Sequence, residues 1–208
     1  MEWLWLFLLA VVAYLVGAVP SGLIMGRLLG RDILQMGSGK TGTANTLSSL
    51  GRGAAAAVFS LDLLKGIAVV LLARLFVWPG EAWHGLATGL AGALAIVGHN
   101  RSVWVRLFAG SWGGGRGIMV AVGALLIVHP LIILGAVVAG AATLVITRFV
   151  VVATLAAVGA GLVTAALLAF AGWISPWMLL GCLAWGLLVA AGFWDSIGRL
   201  LKREEKRV

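Results

Sequence analysis

Hydrophobic and polar positions do not alternate along this chain; they fall into long blocks. Apolar runs cover residues 3–25, 54–78, 84–98, 117–128, 131–147, 150–172 and 177–194. A helix that crosses a bilayer needs roughly 20 such residues, and a spanning strand needs a dyad pattern that these runs lack. The pattern predicts an all-α polytopic membrane protein, a bundle of seven transmembrane helices. The third and fourth runs are short, which predicts tilted, re-entrant or deeply packed helices. Pro79, Pro130 and Pro176 stand at turns, where a missing N–H does least harm, whereas Pro20 predicts a kink late in the first run.

Composition sharpens this reading. The 208 residues are 62% hydrophobic and 11% charged, with a mean hydropathy of +1.11; a soluble domain carries roughly a quarter charged residues. Trp3, Trp5, Trp78, Trp83, Trp173, Trp177 and Trp194 sit at run ends, as in an aromatic belt. The net charge of +8 is dispersed singly between apolar runs, which excludes a nucleic-acid-binding stripe. It reads instead as topology. Thirteen of the 15 Lys and Arg residues, from Arg27 and Arg31 through Arg148 to Lys206 and Arg207, share the side of the C-terminus. The opposite side has only short turns near Gly80-Glu81, His129-Pro130 and Ser175-Pro176. The positive-inside rule then puts the N-terminus outside and the C-terminus in the cytoplasm. The one cysteine, Cys182, excludes an intrachain disulfide and a multi-cysteine metal site. Residues 1–24 lack a basic n-region and a cleavage site and read as a retained helix. No internal repeat or linker is visible, so residues 1–208 are taken as one domain with a short solvated tail at about 199–208.

Two polar islands interrupt the oil, and both fall on the cytoplasmic side. The first is Gly37-Ser38-Gly39-Lys40-Thr41-Gly42-Thr43-Ala44-Asn45; the second runs from Gly98 to Gly117 and contains Gly113-Gly114-Gly115-Arg116-Gly117. Glycine-rich backbone beside Lys or Arg offers unpaired N–H groups and positive charge, the chemistry that holds phosphate. The first island is not a nucleotide-binding P-loop, because that motif needs glycine where Leu34 stands. It is open between an anion-binding loop and a turn of small polar residues. The second opens a helix behind a guanidinium and reads as an anion site.

Asp62 and Lys65 lie three apart inside the second run, on one helix face. They are either a self-neutralising pair that fixes packing or a pair whose lysine reaches a phosphate. His99 and Asn100 open the second island, and an imidazole there is suited to accept a proton from a hydroxyl. His84 and His129 sit at the other helix ends and read as interfacial.

In this order these motifs resemble the bacterial acyl-phosphate:glycerol-3-phosphate acyltransferases, the PlsY family. The resemblance runs through Pro20-Ser21-Gly22, Gly37 to Asn45, Leu50-Gly51 and Asp62-Leu-Leu-Lys65-Gly66. It continues through Gly98-His99-Asn100 and Gly114-Gly115-Arg116-Gly117 and ends weakly at Asp195 to Leu200. It implies seven membrane helices, a bacterial cytoplasmic membrane and a site facing the cytoplasm. It implies transfer of a fatty acyl group from acyl-phosphate to the 1-hydroxyl of glycerol 3-phosphate, with no cofactor, metal or acyl-CoA. Ser38, His99 and Asn45 match positions near the reacting groups. Gly37, Gly39, Lys40, Thr41, Lys65, Asn100, Gly113, Gly114, Gly115, Arg116 and Gly117 are the expected substrate- and phosphate-binding set. Departures are visible: Lys40 stands for the usual Asn, Ser48 for Arg, Arg116 for Lys, and Phe193 and Ser196 for His and Asn. The rival function is a binder or transporter of a phosphorylated small molecule, which would favour repeats and midplane polar sites. Partners are membrane lipids and the two substrates, and oligomeric state is left open.

The orientation makes a direct expectation. With Cys182 replaced, a cysteine at Ser111→Cys should react with membrane-impermeant thiol reagents only from the cytoplasmic side; labelling in intact spheroplasts would reverse the topology.

Overall fold

The computed structural model describes residues 2–76 and 81–205. Trp78, Pro79, Gly80, Lys206 and Arg207 lie outside the described residues, so the turn and tail expectations resting on them do too. The described chain is helical throughout, in the order α1 (Glu2–Ala18), α2 (Ser21–Leu28), α3 (Thr43–Leu50), α4 (Arg52–Phe76), α5 (Glu81–Asn100), α6 (Val103–Ala109), α7 (Ile118–Val128), α8 (Pro130–Thr147), α9 (Val150–Phe170), α10 (Pro176–Ala191) and α11 (Trp194–Leu201). One turn of 3₁₀ helix, Ile33–Gln35, precedes α3.

Each apolar run contains a helix. The first is interrupted at Val19-Pro20, where Pro20 has no N–H to continue the ladder, and resumes as α2. Pro130 and Pro176 each occupy the first position of a helix capped by the preceding His129 or Ser175 side chain. The fourth run is the 11-residue α7, too short to cross a bilayer alone. Among the described residues four helices qualify as spans by length and apolarity: Trp3–Leu28, Arg52–Leu75, Pro130–Thr147 and Val150–Phe170. The bent pair α10–α11, folded by 57°, makes a fifth. This is an integral membrane protein. Three short helices, α3, α6 and α11, were not marked by apolar runs. In the tail Arg199 belongs to α11 and its guanidinium meets Glu205 at 2.6 Å, while residues 201–204 are exposed.

Helix α5 is the centre of the bundle, with Ala87, Ala91, Ala95 and Ile96 fully buried. Small residues let backbones touch where hydrocarbon provides no hydrophobic drive. A methyl group on Gly17 of α1 would overlap the Ala95 backbone, and one on Gly89 of α5 would meet Gly181 of α10. The Trp185 indole seals that contact by donating to the Gly89 carbonyl at 2.8 Å. The α4–α7 crossing is as close: methyl groups on Gly66 and Gly123 would enter the opposite backbone. The result is to bring the middle of α4, the end of α5 and the start of α7 to one place.

Candidate active site

The first glycine island folds around Asn45. Its amide nitrogen donates to the carbonyls of Lys40 (2.8 Å), Met36 (3.0 Å) and Ile33 (3.3 Å). Its oxygen accepts from the Ser38 backbone N–H at 2.8 Å. Asn45 is buried and both ends of its amide are engaged, so it shapes the loop. The turn needs Gly37 and Gly39, with φ of 55° and 66°; a side chain on Gly37 would also strike the Asn45 oxygen. The Ser38 side chain between them is exposed.

The second island packs beneath the first. Thr41 N–H donates to the Gly114 carbonyl at 3.1 Å, Gly115 N–H to the His99 carbonyl at 2.9 Å, and Ser102 N–H to the Gly113 carbonyl at 2.9 Å. Gly114 lies against the backbone of His99 and Asn100, and Gly115 against the His99 ring at Nε2; neither leaves room for a Cβ. Ser102 caps α6 through Val105 N–H and donates to the Ala18 carbonyl, tying the island to the break after α1. Gly117, with φ of 72°, turns the chain into α7.

The ionisable residues of α4 and α5 form a buried knot. Asp62 and Lys65 are 1% and 7% exposed. The Lys65 ammonium reaches Asp62 Oδ1 at 2.7 Å, Ser21 Oγ at 2.6 Å and the Val19 carbonyl at 2.5 Å. Ser21 in turn donates to Asp62 Oδ1 at 2.8 Å. Of the two readings of Lys65, the geometry supplies the packing pair: its three donors all have protein partners. His99 joins from α5, with Nδ1 3.8 Å from Asp62 Oδ1.

Arg116 is held from the other side by α11. Its Nη2 donates to Ser196 Oγ at 3.0 Å, and its guanidinium stacks 4.3 Å from the centre of the Phe193 ring. Arg199 donates to the same Ser196 oxygen at 2.8 Å. Burial lowers the Arg116 pKa from its ordinary value, with nearby Glu205 pulling it back up; it stays a cation at any physiological pH. Lys40 sits 3.9 Å from Asp195.

Between these parts lies a cavity of about 250 Å³. Of the expected set, Ser38, Lys40, Asn45, His99, Gly115, Arg116 and Gly117 line it; Asp62, Thr43 and Phe193 do as well. Gly37, Gly39, Thr41, Gly113 and Gly114 build its walls from behind, and Lys65 lies in the knot. Asn100 donates to the Leu188 carbonyl at 3.1 Å, joining α5 to α10. The Thr43 hydroxyl and Arg116 Nε are buried without a partner on this wall. Thr43, Asp62 and Phe193 were not in the expected set, although all three stand in the motifs quoted above. The signal for Asp62 was its three-residue spacing to Lys65; for Phe193 it was its place at the His position of the family's C-terminal motif, although only the inward fold of α11 brings it to the cavity.

The glycerol-3-phosphate acyltransferase family model matches residues 7–203. A glycerol-3-phosphate acyltransferase of Gloeobacter violaceus is 36% identical over 201 residues, covering 94% of this chain and 91% of that one. Glycerol-3-phosphate acyltransferase 1 of Deinococcus radiodurans is 39% identical over 139 residues, 67% of this chain and 65% of its own length. The fold matches the crystal structure of PlsY (YgiH), an integral membrane glycerol 3-phosphate acyltransferase, in its glycerol 3-phosphate form. That match has a TM-score of 0.81, 26% identity, and coverage of 98% of this chain and 95% of that one. The lysophosphatidic acid form of the same protein superposes with a TM-score of 0.80.

The buried knot makes a stability prediction. Asp62→Ala strands the Lys65 ammonium and should cost about 3–5 kcal/mol, whereas replacing both with apolar residues should recover much of that loss. Unfolding of the purified variants in detergent measures it; an Asp62→Ala protein as stable as wild type would remove the knot from the account.

Proposed function

Because the chain belongs to the glycerol-3-phosphate acyltransferase family, we propose that it moves a fatty acyl group from acyl-phosphate to the 1-hydroxyl of glycerol 3-phosphate in the cavity between the two glycine loops. The products are lysophosphatidate and phosphate, and the role is phospholipid synthesis. The observation that carries this reading is the single cavity lined by both loops, with His99 and Arg116 on its wall. The glycerol 3-phosphate and lysophosphatidic acid forms of PlsY support the acceptor and product.

Acyl-phosphate is a mixed anhydride with a good leaving group, so no covalent enzyme intermediate is required. The acceptor hydroxyl oxygen attacks the acyl carbonyl carbon; the ester C–O bond forms, the anhydride C–O bond breaks, and phosphate leaves with that electron pair. The hydroxyl proton passes to His99 Nε2, while Asp62 beside Nδ1 steadies the imidazolium. Ser38 and Thr43 hydroxyls donate to the developing oxyanion, and Arg116 and Lys40 hold phosphate oxygens. Arg116 brings a fork where a lysine would bring a point charge. Lys40 supplies the cation that Ser48 does not. Asn45 acts as a positioning residue through the loop backbone. Aligning two anionic substrates in one cavity is the main catalytic contribution.

We further assign seven membrane crossings, with α5 and the short α7, lengthened by the glycine loop that leads into it, completing the set, an external N-terminus and a cytoplasmic C-terminus. This puts the site at the cytoplasmic face of the bacterial cytoplasmic membrane, and residues 1–208 act as one domain. The one-sided Lys and Arg distribution supports the orientation.

Purified protein incubated with palmitoyl-phosphate and glycerol 3-phosphate should release phosphate and form lysophosphatidate. Ser38→Ala should lower kcat by a factor on the order of 10²–10³, the scale for losing one transition-state donor. His99→Ala should lose activity and alter the pH profile, and Arg116→Ala should raise KM for a phosphorylated substrate. A wild type that binds glycerol 3-phosphate in calorimetry yet forms no product would make it a binder.

A further inference from the structure

A second cavity is larger than the one described above. It lies at the opposite end of the bundle, holds about 610 Å³, and is lined by Arg74, His84, Thr88, Trp173 and Ser175 among others. Arg74 is in the last turn of α4, and Thr88 precedes His99 by three turns of α5, roughly 16 Å along the axis. The two cavities are therefore separate.

Three observations give this end a chemical character. Arg74 is one of only two basic residues away from the glycine-loop side, and the other, Lys65, is consumed by Asp62. Among the described residues Arg74 has no carboxylate partner, and its Nε is buried with no hydrogen bond. Thr88, 1% exposed, also has a buried hydroxyl without a partner, although helical threonines readily donate to the preceding turn. Two unpartnered donors on one cavity wall are costly to leave empty-handed. The margin also carries apolar surface: Val128, Ala169, Ile174 and Met178 line the cavity, and Trp173, on the same lining, is 63% exposed.

We propose that this cavity binds the phosphodiester headgroup of an anionic membrane lipid, in the leaflet opposite the active site. The guanidinium and the Thr88 hydroxyl take the phosphate oxygens, His84 supplies a further donor, and the acyl chains run out over Trp173. A free phosphate would satisfy the donors but leave the apolar margin unused, which favours the lipid.

The full-length protein in phosphatidylcholine nanodiscs, with and without phosphatidylglycerol, tests this by thermal unfolding. Wild type should gain about 2–4 °C in Tm from phosphatidylglycerol, the shift that about 1 kcal/mol of ligand stabilisation gives a chain of this size. Arg74→Gln and Thr88→Val should each lose most of that increment, and Arg74→Lys should keep part of it. Should Arg74→Gln fail to fold, the milder Thr88→Val and the phosphatidylglycerol retained in native mass spectrometry decide. The wild-type increment persisting in both variants would overturn the site. The same increment from inorganic phosphate in plain phosphatidylcholine would overturn the lipid assignment.

Discussion

A charge buried among membrane helices must find its partners inside the protein, and here one aspartate organises everything near the site. Asp62 is 1% exposed and gathers Lys65, Ser21 and the His99 ring. Because Lys65 also reaches the Val19 carbonyl, the knot ties α4 to the break that Pro20 makes in the first helix. The proline break, the ion pair and the histidine are thus one device. It fixes the registry of α2, α4 and α5, and the two glycine loops hang from those helix ends.

The loops themselves are shaped by backbone hydrogen bonds, which explains their composition. Asn45 pulls the first loop into a ring of carbonyls, and the second loop lies so close to His99 and Asn100 that only glycine fits at Gly114 and Gly115. Ser38, Thr43, Lys40 and Arg116 provide donors around a cavity whose other lining includes His99, Asp62, Phe193 and the glycines of both loops. Arg116 depends on α11, through stacking on Phe193 and a hydrogen bond to Ser196. Three residues that depart from the family pattern, Arg116, Phe193 and Ser196, therefore meet in this chain.

The long helices were legible because membrane apolarity is a strong, continuous signal. The Asp62–Lys65 pair was legible because two charges three apart in an apolar run have one face to share. Ser21 and Val19 were not, since a hydroxyl and a carbonyl 41 and 46 residues away leave no local trace. Helices α3 and α6 are too short for periodicity and are set by Gly42 and Ser102 at their starts. The inward fold of α11 depends on a 57° bend that no spacing announces. Asn45 was placed among the reacting groups from the loop motif, and only its hydrogen bonds reveal a shaping role.

The most direct measurement is a structure of the full chain determined with glycerol 3-phosphate bound. The account predicts the phosphate between the Ser38–Lys40 loop and the Arg116 guanidinium, with the 1-hydroxyl turned toward His99. Glycerol 3-phosphate seated away from both glycine loops, or making no contact with Arg116, would contradict it.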